Sequence, residues 1–354
     1  MDTSILTVRQ IESLRSSLCN RLIALSFGAG VDSTAMLVAL KLADIKPDII
    51  TFADTGGEKP DTIAHIGKIN DVLASWGWPT ISICKKVPLE KTGYKDLYEN
   101  CLKNETLPSL SYGRKNCSIK WKHVPQTNLI KGVKRGPNAI PPHAIWLEYE
   151  ETGQRIIKLI GYDCGKADMR RSKNLPISCE DFDYIYPLQI IGWSRPDCVE
   201  AITQYLGAEF VPIKSACFFC PASKQWELFW LAAFHPDLLE KALLLERNAM
   251  TGKHSRFDKR EFGATWEEFV LNESKFPSTT ATVGLGRSFS WNQWARNNCV
   301  VDRDFTVYRD RLSCERFREM ANLLRGKGED NAQDNRGEKY KFIIPITPIE
   351  IELF

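Results

Sequence analysis

The chain has 354 residues, 43% hydrophobic, 10% aromatic and 26% charged, which excludes a mini-domain with too little core and a broadly disordered chain. Forty-seven Lys and Arg against 44 Asp and Glu leave +3, too balanced for a protein that coats nucleic acid, although local basic clusters can still meet phosphate. No window reaches the roughly 18 apolar residues of a spanning helix and the first residues lack a long apolar segment. The expectation is therefore a cytoplasmic protein with no membrane contact, whose eleven cysteines serve as thiols, metal or cluster ligands, or redox groups.

In chain order, Leu22 to Ser26 is a short apolar run that breaks at Gly28 and Gly30 and resumes with apolar residues at helical spacing, which predicts strand, glycine turn and helix. Further strands are predicted at Asp48 to Ala53, Thr80 to Cys84, Ile156 to Gly161 and Tyr184 to Leu188, with helices between the early ones. Strands alternating with helices imply a parallel, helix-covered sheet. Residues 132 to 154 are rich in Gly and Pro and read as a loop or flap. Helices are expected from Gln225 to Asn248, at about 264 to 272 and over 290 to 324, and residues 325 to 341 read as a charged linker before an apolar tail. The organisation expected is residues 1–224 as a nucleotide-binding domain, 225–324 as a helical region and 325–354 as linker and tail.

The sharpest local signal is Ser26-Phe27-Gly28-Ala29-Gly30-Val31-Asp32-Ser33-Thr34 between strand and helix. Glycines there let successive backbone N–H groups turn toward one anion, the serines add hydroxyls, and the helix offers its positive end. It lacks the Gly-Lys-Ser/Thr of a P-loop NTPase and the GxGxxG of a dinucleotide fold. This loop resembles the SGGxDS signature of the PP-loop ATP pyrophosphatases. Four further segments resemble the phosphoadenosine phosphosulfate (PAPS) reductase-like branch: Phe52 to Gly56 with Glu58; Cys117-Ser118 with Lys122 and Pro125; Ile160 to Asp163 with Arg170 and Arg171; and Pro187-Leu188 through Gly192-Trp193.

The resemblance covers residues 20 to 224 and implies an α/β, Rossmann-like parallel sheet of the adenine nucleotide alpha hydrolase type with a mainly helical C-terminal region. It implies ATP or PAPS as the nucleotide, with Mg²⁺ assisting. Ser26, Phe27, Gly28, Gly30, Asp32, Ser33, Thr34, Asp54, Gly161 and Arg170 are then the candidate nucleotide-binding residues, and Asp32, Ser33, Lys122 and Arg171 the candidate catalytic ones. Asp54, at a strand end, can hold a ribose hydroxyl or cap a turn. Lys122 and the two arginines can neutralise phosphate or sulfate oxygens.

Cys217-Phe218-Phe219-Cys220-Pro221 sets two thiols in one tight turn, suited to an iron–sulfur cluster, Zn²⁺ or a redox disulfide. With Cys117 they make three candidate ligands of a [4Fe–4S] cluster, the fourth position falling to Cys164, Cys179, Cys198 or none. The Glu-Cys-Gly-Leu-His element of assimilatory PAPS reductases is missing, since Cys299 lies in NNCVV and Cys314 in LSCER. The expectation is ATP-dependent adenylylation with pyrophosphate release, coupled to sulfur transfer from a sulfur donor protein or thiol donor to a nucleic acid or small-molecule acceptor. A thiol-dependent PAPS or APS reductase and a non-catalytic nucleotide-binding regulatory or defence module are the alternatives. The aromatics Trp226, Phe229, Trp230 and Phe234 read as a core face or a base-stacking stripe. Gly284 to Trp291 reads as a second anion-binding turn or a capped helix start.

Overall fold

Side chains alternate along a strand, so an apolar five-residue run feeds two cores at once. Leu22 and Ala24 of the first strand join one buried cluster while Ile23 and Leu25 join another. The computed structural model describes residues 5–174, 179, 181–255, 257, 263–271, 282–286 and 289–326. Its elements in order are α1 (Val8–Leu18), β1 (Leu22–Ser26), α2 (Val31–Leu42), β2 (Ile49–Asp54), α3 (Pro60–Ser75), β3 (Ile81–Lys85), α4 (Leu97–Lys103), α5 (Val124–Lys131), α6 (Ala144–Thr152) and β4 (Ile156–Ile160). There follow α7 (Lys166–Lys173), β5 (Phe182–Ile185), α8 (Arg195–Tyr205), α9 (Gln225–Phe234), α10 (Pro236–Thr251), α11 (Trp266–Leu271), α12 (Trp291–Asn297) and α13 (Arg311–Gly326).

The five strands form one parallel sheet in the order β3-β2-β1-β4-β5. One face carries α1, α2, α3 and α8, and the other carries α5 and α6. The fold is thus the expected α/β, Rossmann-like sheet with a mainly helical C-terminal region. After β3 the chain crosses to the far side of β1, so the order reverses between β1 and β4, and the loops leaving those strands part to form a crevice. No helix among the described residues is long and apolar enough to cross a membrane.

Three predicted boundaries shift, each for a local reason. The last strand ends at Ile185 because Pro187 opens a helical turn, Pro187–Ile190. Residues 144–152 are helix rather than flap, started by His143, whose ring accepts from the Ile145 N–H at 3.3 Å. The long C-terminal helices are broken, at His235-Pro236 and between Asn297 and Arg311, where Val301 and Val307 form a bridge. Residues 327–354 of the expected linker and tail lie outside the described residues.

The C-terminal helices share a core with Leu97, Cys101, Leu107 and Trp121 of the insertion after β3 and with Cys217 to Phe219. Trp226 and Phe229 of the aromatic stripe are buried in that core, with only 1% exposure each, whereas Phe234 is 40% exposed. The anion-binding turn receives an anion from within the chain. The buried Glu246 carboxylate accepts from the backbone N–H groups of Leu285, Trp291 and Asn292 at 2.6 to 2.8 Å and from the Ser290 hydroxyl at 2.8 Å. That leaves the turn a structural role; Arg287 and Ser288 lie outside the described residues.

A buried ion triad joins the sheet to these helices. Lys59, just before α3, places Nζ 2.8 Å from Glu227 of α9, with side-chain exposures of 1% and 0%. Lys214 Nζ reaches the other Glu227 oxygen at 2.6 Å. Glu227 is the carboxylate both lysines share, so Glu227→Leu strands the buried Lys59 charge and should lower unfolding free energy by about 3 to 5 kcal/mol, read by urea denaturation. The double variant Lys59→Met/Glu227→Leu leaves no stranded buried ammonium and should recover part of that loss.

Candidate nucleotide and cysteine site

The β1–α2 loop is shaped by its own bonds. The Ser33 hydroxyl donates to the Gly30 carbonyl at 3.0 Å and receives the Gly30 N–H at 3.2 Å. Ala29 takes the left-handed conformation at φ 54°, and the Phe27 N–H donates to the Thr51 carbonyl at 2.8 Å. The first amides of α2 have no carbonyl one turn back and open on the crevice. Gly161, at the exit of β4, lies so close that a Cβ would stand 3.0 Å from the Ser33 nitrogen. That approach explains the glycine and seats the β4 loop on the helix start.

Several expected residues take other roles. The Phe27 side chain is buried with 1% exposure and stacks on His65, whose Nε2 lies 2.9 Å from the Thr34 hydroxyl. Phe27 and Thr34 therefore offer the loop only their backbone, because their side chains point into the core under α2. The Ser26 hydroxyl donates to Gln126 Oε1 at 2.9 Å. Asp54 accepts the Gly56 N–H at 2.7 Å, so it shapes the second loop as a turn cap. Arg170 is exposed on α7.

Around the loop, Asp32, Asp163 and Arg171 from the motif segments are joined by Asp168 and Arg195, which motif reading did not single out. Carboxylate oxygens of Asp32, Asp163 and Asp168 all lie within 4.8 Å of one another, the one such group of three ligand-type side chains among the described residues. Arg195, first residue of α8, lies 3.0 Å from Asp32 and 3.8 Å from Asp163. Arg171 lies 2.6 Å from Asp168, so it reaches the loop through that carboxylate. Asp32 Oδ1 is buried with no hydrogen-bond partner. Burial, then the charges of Asp163 and Asp168, push the Asp32 carboxyl up from its ordinary value of 3.8 to about 7, against the opposing pull of Arg195 and Arg171. Burial likewise raises Asp168, against Arg171. Hard carboxylate oxygens converging on one space are the donor set that Mg²⁺ takes, so these residues fit the ion.

The cysteine turn docks beside this crevice. Ser215, two residues before Cys217, stands so near Gly30 that a Cβ there would lie 2.8 Å from its hydroxyl. A Cβ at Gly57 would strike the Phe219 ring at 2.5 Å, and the Phe218 N–H donates to the Gly57 carbonyl at 2.8 Å. Cys217 Sγ is 3.0 Å from the Thr55 hydroxyl and 4.0 Å from Glu58 Oε1. Burial, then Glu58, pushes the Cys217 thiol up, and burial raises Cys220 as well.

Lys122 pairs with the second loop rather than with a residue of the phosphate loop. It sits in a π-helical turn, Ile119–His123, with Nζ 3.5 Å from the buried Glu58 carboxylate. Burial opposes its charge, but Glu58 and the thiols of Cys217 and Cys220 outweigh this and hold it protonated. Its place is beside the cysteine pair because Glu58 belongs to the same β2–α3 loop that receives the turn. Cys117 stands outside this set. It packs against the helical core, couples to Cys101, and the three candidate sulfurs do not all lie within 4.8 Å of one another. Sulfurs bound about 2.3 Å from one tetrahedral ion would be closer than that, so the three do not frame a mononuclear Zn²⁺ site.

Among solved structures, the chain is similar to a phosphoadenylyl-sulfate (PAPS) reductase from Candida auris, determined as a phosphate complex, at 20% identity and a TM-score of 0.34 over 56% of this chain and 79% of that one. No protein-family model and no curated protein matches the chain. A likeness at that level transfers no residue's role from one chain to the other.

The Asp32 environment has a pH signature. A carboxyl whose pKa is higher folded than unfolded binds its proton more tightly in the native state, so stability falls as pH rises from about 4 to about 7. Three units correspond to about 4 kcal/mol as an upper bound. In chelator-treated protein, Asp32→Asn should raise the melting temperature at pH 8 more than at pH 5, and Mg²⁺ should stabilise the wild type at pH 8 and not the variant. Equal pH dependence in both proteins would remove the carboxylate cluster as its source.

Proposed function

We propose that the chain is a PP-loop nucleotide enzyme that adenylylates an acceptor from ATP, releases pyrophosphate, and passes sulfur to the activated position through Cys217 and Cys220. The carrying observation is the convergence of Asp32, Asp163 and Asp168 beside the amides of the β1–α2 loop. Three carboxylates repel a polyphosphate unless a cation lies between them, which favours a metal-bound triphosphate over a bare phosphosulfate. Asp32, Asp163 and Asp168 would hold Mg²⁺, which when bound supplies neutralisation of the departing pyrophosphate. The loop amides and Ser33 orient the phosphates, and Arg195 holds Asp32 and Asp163 in place.

In the first step an acceptor oxygen bonds to the α-phosphorus and the bond to pyrophosphate breaks, with the acceptor proton passing to solvent. A sulfur donor protein leaves Cys217 as a persulfide. Its terminal sulfur attacks the adenylylated carbon and AMP departs, giving a mixed disulfide between Cys217 and the acceptor. Cys220, three residues on in the same turn, attacks Cys217, releases the acceptor thiol and closes a disulfide that an external dithiol reduces. Lys122 beside both sulfurs favours their anionic forms as they react. The cluster reading needs Cys117 with the pair; iron and sulfide analysis of anaerobically purified protein tests it directly.

The second reading, a PAPS reductase with a thiol donor, draws on the same cysteine pair. Product assays separate the two: Mg²⁺-dependent pyrophosphate from ATP supports the first, and sulfite from PAPS without pyrophosphate supports the second. Asp163→Asn and Ser33→Ala should each lower pyrophosphate release on the order of 100-fold with the melting temperature kept. Cys220→Ser should leave pyrophosphate release intact and trap the acceptor as a disulfide on Cys217, visible as a mass increase reversed by dithiothreitol. Undiminished pyrophosphate release in Asp163→Asn and Ser33→Ala would sink the assignment, and no trapped disulfide in Cys220→Ser would sink the role of the cysteine pair.

A further inference from the structure

The chain's balanced charge conceals a strong segregation. Residues 85–135 carry twelve Lys and Arg against four Asp and Glu, a surplus of eight in a chain that totals +3, so the rest sums to −5. Between Glu105 and Glu148 there is no acidic residue at all, while seven Lys and Arg fall in that stretch. Two of these cations are matched, Lys122 by Glu58 and Lys131 by Asp181. Among the described residues, Lys85, Lys86, Lys120, Lys134 and Arg135 have no carboxylate partner.

Three elements bring those five together. Lys85 and Lys86 leave the end of β3, and Lys86 Nζ stands 4.7 Å from the Trp121 ring, next to Lys120 of the π-helical turn. Lys134 and Arg135 occupy the tip of a small hairpin closed by the Val133–Ile140 bridge. The Asn138 amide donates to the Val87 carbonyl at 2.9 Å, which ties that hairpin to the exit of β3. Burial, and after it the neighbouring Lys120 charge, lower the Lys86 pKa, which places the two ammonium groups near one another. Apart from Lys86, which is half-buried, the five are exposed, and the next residue but one, Lys122, abuts Cys217 and Cys220.

We infer that this basic face binds the phosphate backbone of a nucleic acid, which would be the acceptor of the proposed adenylylation and on which reading the choice of substrate class rests. Five uncompensated cations drawn from three loops match a flexible chain of phosphates. The one large aromatic ring among them, Trp121, is only 4% exposed beneath Lys86, so the contact is to backbone and not to stacked bases.

The test measures binding of the full chain to fluorescein-labelled single-stranded DNA, duplex DNA and RNA between about 50 and 200 mM salt. At least one probe should bind with an affinity that falls linearly on a log–log salt plot. The triple variant Lys120→Ala/Lys134→Ala/Arg135→Ala should bind it tenfold or more weakly, with a slope shallower by up to about three, and keep its melting temperature and ATP binding. No binding of any probe at the lowest salt, or a slope unchanged in the variant, overturns the interface. Equal competition by polyglutamate of matched charge also overturns it, in favour of an acidic protein partner. Failure of ATP to bind or to release pyrophosphate in a wild type that still binds the probes would instead strike the adenylylation reading.

Discussion

Asp32 at the start of α2, Asp163 in the loop after β4 and Asp168 in α7 bring carboxylate oxygens into one space from either side of the point where the strand order reverses. Three negative charges at that spacing, mostly out of water, repel one another strongly. Arg195 and Arg171 relieve part of this, yet Asp32 still keeps its proton to about 7. A cation held between the three, as in the proposed function, would relieve the rest. The parallel sheet holds these groups at the carboxyl ends of β1 and β4, and the start of α2 stands so close to Gly161 that a Cβ there would lie 3.0 Å from the Ser33 nitrogen.

The cysteine turn adds a second chemistry without adding a second cleft. Beside the contacts of Cys217 with Thr55 and Glu58, the segment meets the sheet's loops at Gly57 and Gly30, where a Cβ would strike the Phe219 ring and the Ser215 hydroxyl. A residue without a side chain at each lets those side chains seat against the loop, which brings the thiols into the neighbourhood of the phosphate loop. The carboxylate set and the thiol set remain separate in their electrostatics. Asp32 answers to Arg195 and its acidic neighbours, and Cys217 to Glu58 and Lys122.

The strands were legible because five-residue apolar runs between polar turns have few other uses, and the glycine loop because its residue types sit at fixed offsets. Helix α1 was not, since only Leu14 and Leu18 of its eleven residues are buried. Helix α6 was hidden by the prolines before it. The acidic set escaped because Asp32 and Asp163 are far apart in the chain and become neighbours only when β4 inserts beside β1. The motif named Lys122, but nothing local shows that Glu58, from another strand's loop, would pair with it. Phe27 and Thr34 illustrate the reverse: a loop motif names positions, and only the fold decides which of them contribute backbone alone.

The ion triad of Lys59, Glu227 and Lys214 reaches further than the stability of one contact. Lys59 lies one residue beyond Glu58, and Lys214 donates to the Ala222 carbonyl at 2.8 Å, so the two lysines bracket the cysteine turn. The glutamate between them comes from α9. A chain cut short before that helix would bury Lys59 with no counter-charge and lose the strap that spans residues 214 to 222. The C-terminal helices are thus not an appendage that a shorter relative of this chain could discard while keeping its thiols in register.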